Sequence, residues 1–329
     1  MNTYGTLFKI TLYGESHQPS IGVVIDGMPA GIPIYPDLIR ADMLKRQPGA
    51  IGTTPRKEDD DVVITSGVFN GYSTGSPIHL MIQNNNVRSQ DYDHLKKQPR
   101  PGHADFVAEV KYGGFQDHRG GGRFSGRLTA ALVAAGAIAK MTIPFKLSHE
   151  LISVGTLKDL TKLDAYLDEI ASQGDSVGGI IQLKATEMIV GLGEPFFNKL
   201  DAEIGKMMLS IPSVKAVEIG TGFEGASWLG SQFNDEILDQ EGHTKTNHSG
   251  GITGGISNGN DLIVKVMIKP TSSIQKTQNT FHFGTQEVEK LDVAGRHDVC
   301  IARRAGIVLE NVLAIVLADQ YLMYKAYRH

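Results

Sequence analysis

The sequence predicts an α+β chain of two similar halves, with long central helices and outer sheets. Two segments, 125–142 (SGRLTAALVAAGAIAKMT) and 296–324 (RHDVCIARRAGIVLENVLAIVLADQYLMY), are apolar on nearly every face, as buried helices are. A glycine-rich, arginine-bearing stretch leads into each: GGGRFSGR and AGRHDVCIARR. Strand-like runs punctuated by glycine and proline lie ahead of both long helices, which suggests a duplicated unit around a common core. No linker divides 1–329, so the chain reads as a single domain.

The elements follow in order. Residues 6–13 and 21–26 (IGVVID) pair as strands around the GESH turn at 14–17. PDLIRADMLKRQ, 36–47, is a short helix with Pro36 near its start and Pro48 just past its end. Residues 62–84 read as strand, glycine-rich turn, strand. From Asn84 to Gly122 the chain is polar and rich in Gly, His and Arg, long for a structureless connection, which points to function. The alanine-rich helix 125–142 stops at Pro144. LISVGTL (151–157) is a strand, 161–179 holds an exposed amphipathic helix, and 178–188 is another strand. Residues 196–211 form a second amphipathic helix and 214–223 a strand. A polar, mobile stretch over 231–259 precedes the strand 261–270 and the last long helix.

With 329 residues, 41% of them hydrophobic, the chain can bury a large core. A net charge of -4 argues against a generally basic nucleic-acid binder, so any anion site must be a local concentration of cations. The single cysteine, Cys300, excludes an internal disulfide framework and a Cys-based zinc cluster, and suits a reducing, cytoplasmic setting. Neither a signal peptide nor a run of about 18 uninterrupted apolar residues is evident. Glycine is the outlier, 38 residues against an average of roughly 7%.

Several clusters carry chemistry. In HRGGGRFSGR, 118–127, three glycines let backbone N–H groups crowd a ligand, Arg119, Arg123 and Arg127 flank them, and a helix beginning near Ser125 adds its positive end. Phosphate or carboxylate suits this arrangement; an exposed basic helix start is the plainer alternative. It is neither GxxxxGK[ST] nor GxGxxG with a distal acid. KPTSSI, 269–274, sets a lysine before three hydroxyls, another phosphate cradle or else a turn. GHAD places His103 beside Asp105. GRHDVC brings Arg296, His297 and Asp298 to a helix entrance, where Asp298 is either a cap or a functional acid. NHSGGITGGISNG, 247–259, is a glycine-dense loop. GESH puts Glu15, Ser16 and His17 together, yet lacks the elbow that exposes a nucleophilic serine. No HExxH or similarly spaced metal-ligand set appears, so no metal is expected. The sum is a polyanionic substrate and acid–base work.

In order along the chain, GESH, RPGHAD (100–105), RGGGRFSGR (119–127), NHSGGITGGISNG, KPTSSI and GRHD resemble the motifs of the chorismate synthase family, over nearly the whole length. The resemblance implies a β-α-β sandwich of two similar halves, with antiparallel sheets around the central helices, assembled as a homotetramer. It implies a carbon–oxygen lyase that converts 5-enolpyruvylshikimate 3-phosphate to chorismate by 1,4-anti elimination of phosphate, the last step of the shikimate pathway to aromatic amino acids. Reduced FMN is required without net redox change, and NADPH is the candidate reductant. By motif match, His17 is the acid beside the leaving phosphate, His103 protonates or stabilises the reduced flavin near N1 and Asp298 helps move a proton from flavin N5. FMN contacts fall on Arg123, Phe124, Ser125, Pro212, Ser213, Gly254, Lys269, Pro270, Thr271, Ser272, Ser273 and Arg296. Arg46, Arg100 and Arg127 surround the substrate's anionic groups.

The chain departs from the family at several points. Gly52 stands where many relatives place an arginine assigned to reduced pyridine nucleotide, which weighs against direct use of NADPH. Pro212 and Ser213 replace a common Asn-Ala, and Leu128 a frequent Glu. Two competing readings are a flavin or nucleotide oxidoreductase and a non-catalytic anion-binding assembly protein.

Overall fold

The computed structural model describes residues 2–49, 51–53, 60–85, 95, 97–293 and 297–327. The first half supplies β1 (Thr3–Tyr4), β2 (Lys9–Gly14), β3 (Ser20–Asp26), α1 (Pro36–Arg46), β4 (Val62–Ser66), the small hairpin β5 (Val68–Phe69) and β6 (Tyr72–Ser73), β7 (Ile78–Gln83), α2 (Asp105–Tyr112) and α3 (Thr129–Lys140). Its main sheet is antiparallel throughout, ordered β1-β2-β3-β7-β4. Ile21, Val23 and Ile25 on β3 and Ile78, Leu80 and Ile82 on β7 are all fully buried. Their spacing of two puts them on one face, which packs on α3.

The second half repeats the plan. It comprises β8 (Lys146–Val154), α4 (Leu163–Ser172), β9 (Gly179–Thr186), α5 (Leu200–Leu209), β10 (Val214–Ile219), α6 (Gly230–Phe233), the hairpin β11 (Ile252–Thr253) and β12 (Ile256–Ser257), and β13 (Leu262–Ile268). The hairpin β14 (Gln278–His282) and β15 (Glu287–Leu291) and the long helix α7 (Ala302–Tyr327) complete it. The order β10-β13-β9-β8 is again wholly antiparallel. β9 and β13 alternate strictly between buried and half-buried; in this sheet β8 and β9 pack on α7, and β10 packs on α5.

The two halves meet where α3 crosses α7. Gly136 makes that crossing possible: a Cβ there would lie 2.3 Å from Asn311 Cβ and 2.4 Å from its carbonyl oxygen. A polar link crosses the same seam. Lys140 Nζ reaches Asp42 Oδ2 at 2.7 Å and Glu310 Oε1 at 2.5 Å, while His149 Nδ1 meets Glu310 Oε2 at 2.5 Å. At the far end of α7, the Asp319 carboxylate accepts the backbone N–H groups of Thr6, Leu7 and Phe8 at 2.7–3.0 Å. That contact ties the β1–β2 turn to the last helix. By length and composition α7 would cross a membrane, but 89% of its most apolar window is buried, so it is the core helix its sequence suggests.

Three expectations need correction. Regular helix begins at Thr129 and Ala302, later than residues 125 and 296, because tighter turns or irregular backbone precede both. Within the polar connection after Asn84, residues 105–112 form α2, and the β14–β15 hairpin was not anticipated. The stretch 231–259 holds α6 and a hairpin, and the Asp235 carboxylate anchors it to the backbone N–H groups of His248 (2.8 Å) and Ser249 (2.9 Å).

Candidate active site

At the N-terminal ends of α3 and α7, next to the C-terminal end of α1, lies a cavity of about 290 Å³. Its wall draws on segments far apart in sequence. Arg46 comes from α1, Arg100 and His103 from the GHAD loop, and Gly120 and Phe124 to Arg127 from the triple-glycine stretch. Pro212 and Ser213, Thr271 to Ser273, and Asp298 with Arg304 complete it. The structure thus brings together twelve of the sequence-predicted residues. Arginine dominates, so the space presents positive charge to any ligand.

The triple-glycine turn is the hinge of this wall. Gly120, Gly121 and Gly122 take φ of 59°, 80° and 51°, the left-handed region that glycine alone enters without strain. Gly120 covers His17. A Cβ on it would lie 2.1 Å from His17 Cε1 and 2.8 Å from Ser16 Oγ. His17 is 6% exposed, with Nδ1 3.2 Å from Ser16 Oγ. It stands just behind the cavity wall, separated from it by a glycine backbone. A Cβ on the next glycine would touch the His103 ring at 3.5 Å. The turn therefore holds the two histidines close to its opposite sides.

Buried carboxylates brace the cations from behind. Asp105 takes Arg100 in a two-point pair, Nε to Oδ2 at 2.8 Å and Nη2 to Oδ1 at 2.9 Å, and lies 2.5 Å from His103 Nδ1. Burial alone would push the Asp105 carboxyl up, but hydrogen bonds from Arg100 and His103 hold it well below the usual carboxylate range. Arg100 Nη1 also donates to Ser273 Oγ at 3.0 Å, joining GHAD to the hydroxyl loop. On the other side Asp60 pairs with both Arg46 (2.9 Å) and Arg127. Asp298 accepts from Arg304 Nη2 at 2.8 Å; it lies four residues before α7 begins.

The hydroxyl loop follows β13. Lys269 Nζ donates to Ser272 Oγ at 2.7 Å, and burial, then the charge of Lys215, pushes its ammonium pKa down. The Thr271 hydroxyl is buried with no hydrogen-bond partner among the described residues. Ser213, opposite, has φ of 72°, a strained backbone for a non-glycine residue, and its carbonyl accepts the Lys269 N–H.

Four predicted residues among those described stand away from the wall, besides His17. Lys269 and Pro270 flank the hydroxyls without lining the space. Arg123 is committed to the end of β2, donating to the carbonyls of Gly14 (3.0 Å) and Leu12 (3.0 Å) and to Asn2. Burial lowers its pKa. Gly254 sits exposed at the β11–β12 turn with open space around it. Arg296 lies outside the described residues. A larger cavity of about 640 Å³ adjoins the first through His103 and Phe124, lined by Tyr13, Tyr112, Phe115, Glu15 and Glu109 among others. Size favours it, but the arginines and hydroxyls of the motifs converge on the smaller one, and chemistry decides.

Sequence reasoning missed Asp60 and Arg304. Asp60 sits in an acidic run that reads as solvated surface. Arg304 lies within the apolar α7 pattern; only its place in the first turn of a helix that opens on the site would have flagged it.

Gly52 is informative as well. Its φ is 80°, a Cβ would lie 2.8 Å from Leu167 Cδ1, and its carbonyl accepts the N–H of Val299 at 2.9 Å. The position docks a loop beneath α7's entrance, and its positive φ strains any residue with a side chain.

Comparison with known proteins agrees with the geometry. Residues 8–322 match the family model described as chorismate synthase. A chorismate synthase from Chitinophaga pinensis is 51% identical, with 98% of this chain and 97% of that protein covered. One from Methanosarcina barkeri is 41% identical over 98% and 96%. A crystal structure of a chorismate synthase superposes with a TM-score of 0.75 at 28% identity, covering 97% of this chain and 93% of that one. The chain therefore belongs to the chorismate synthase family, a family of carbon–oxygen lyases.

Proposed function

We propose that the chain converts 5-enolpyruvylshikimate 3-phosphate to chorismate by 1,4-anti elimination of phosphate, with reduced FMN as cofactor, at the end of the shikimate pathway to aromatic amino acids. One observation carries this reading: motifs scattered from residue 46 to residue 298 converge on one arginine-walled cavity.

The substrate bears a phosphate and two carboxylates, so it needs several cations. Arg46, Arg100 and Arg127 supply them, and Arg304 adds a fourth. As the bond to phosphate breaks, His17 donates a proton to the departing group. Imidazole is a common general acid for such a transfer. Gly120 leaves the His17 ring its place directly behind the wall, where a Cβ would collide with it. Asp298, oriented by Arg304, takes part in moving the proton lost from C6. His103, fixed by Asp105, would offer a hydrogen-bond donor to a bound flavin.

The residues present fit reduced FMN. The orphaned Thr271 hydroxyl, its neighbours Ser272 and Ser273, and Lys269 form a donor set for a phosphate, and the glycine turn lets backbone approach a planar ring. When bound, reduced FMN would supply an electron-rich ring beside the substrate. Arg100 and His103 offset the negative charge that gathers there.

The protein works as a single domain, in a cytoplasmic homotetramer, without metal. Gly52 argues that NADPH does not reduce the flavin through the arginine other members use. Anaerobic assay with FMN reduced by dithionite, and in parallel by NADPH, tests the reading. Chorismate in the dithionite reaction supports it. Net reduction of the substrate would instead identify an oxidoreductase, and no flavin binding a non-catalytic protein.

A further inference from the structure

Asp60 does not line the cavity, yet it touches two of the arginines that do. Its side chain is 1% exposed. It accepts a hydrogen bond from Arg46 Nη1 at 2.9 Å and another from Arg127 Nη1. Both guanidiniums are themselves buried, at 5% and 6%. Each fork is held at two further points. Arg46 reaches Thr129 Oγ1 (3.2 Å) and the Gly126 carbonyl (3.2 Å); Arg127 reaches Asn84 Oδ1 (3.0 Å) and the Gln83 carbonyl (3.3 Å).

Two guanidiniums sharing a buried wall repel each other, and each has many rotamers. A carboxylate between them offsets the repulsion and fixes the plane of both forks. Donors already aimed at a ligand bind it more tightly than donors that must be ordered on arrival. Resting on the reading that this cavity takes the anionic substrate, we infer that Asp60 is a positioning residue that holds Arg46 and Arg127 in the orientation that binds the substrate. Two effects oppose each other when its charge is removed. The wall becomes more positive, which attracts anions, and the arginines lose their brace. The brace wins, because the hydrogen bonds to the carboxylate are direct and buried, whereas the gain in net charge is shared over a site that already holds several cations.

The test compares variants of the full chain, anaerobically, with saturating reduced FMN. Asp60→Asn raises KM for 5-enolpyruvylshikimate 3-phosphate about tenfold, equal to about 1.4 kcal/mol of binding, and leaves kcat within about threefold. The substrate Kd from calorimetry rises with KM. Asp60→Glu keeps the charge at a longer reach and gives a KM about threefold above wild type. A KM and Kd unchanged or lowered in Asp60→Asn, whatever happens to Tm, overturns the inference, since a purely structural role would move Tm alone. Should Asp60→Asn fail to fold, Asp60→Glu decides: the raised KM supports the positioning role, and a wild-type KM overturns it. No turnover by the wild type sinks the reading of the cavity itself. Wild-type turnover with an unmoved KM in the variants sinks only the role of Asp60.

Discussion

His17 and His103 flank one glycine turn, and the account gives them separate protons to manage. Replacing either with alanine lowers kcat by about 10²–10⁴-fold, the range for a lost acid–base group, while Tm stays within a few degrees. Gly120→Ala is the sharper probe, because it removes no functional group and acts only through position. Its Cβ would occupy the space of the His17 ring at a φ of 59°, so activity falls at least as far as in His17→Ala. Circular dichroism would show the fold retained. The histidines, the arginines and the glycine turn were legible in the sequence because their chemistry is packed into short motifs. Asp60 was not: its partners lie 14 and 67 positions away, and only the fold brings them together. Arg123 shows the converse, since its motif suggests a ligand contact while its guanidinium is spent on the carbonyls at the end of β2.

At the scale of elements, the crossing of α3 and α7 sets where the cavity opens. Gly136→Ala forces a methyl against Asn311 and its carbonyl, and overpacking of this kind costs about 1–3 kcal/mol. Chemical denaturation would show the midpoint lowered. The long helices and the strict alternation of β9 and β13 could be read directly, since burial on every face or on one face leaves a strong pattern. α2 and the β14–β15 hairpin escaped because they are short, half-exposed and set among polar residues. Helix starts were misplaced because Ser125 opens a tight turn, not a regular helix, and the entrance to α7 is irregular up to Ile301.

Across the whole molecule, the Asp42–Lys140–Glu310–His149 link joins α1, α3, α7 and β8 and so fastens the two halves. Burial pushes the Glu310 carboxyl up, but hydrogen bonding to His149 and the charge of Lys140 outweigh it and hold its pKa below the ordinary value. A lowered folded pKa means the stabilisation is complete above the unfolded value, near 4.3, and is lost as pH falls through the folded one. Glu310→Gln should therefore lower stability at neutral pH, by less than the about 3–5 kcal/mol of a fully buried pair, because Lys140 keeps Asp42 and both cations are partly exposed. Its deficit against wild type should shrink as pH drops below about 4. Urea titrations across that range check both. The central claim is that the arginine-walled cavity carries out an elimination with no net redox change. Its most direct measurement is stoichiometry in one anaerobic reaction with dithionite-reduced FMN, following phosphate release, chorismate formation and the flavin spectrum together. The account predicts phosphate and chorismate in equal amounts, with the flavin still reduced at the end. Flavin oxidised in step with product, or phosphate released without chorismate, would contradict it.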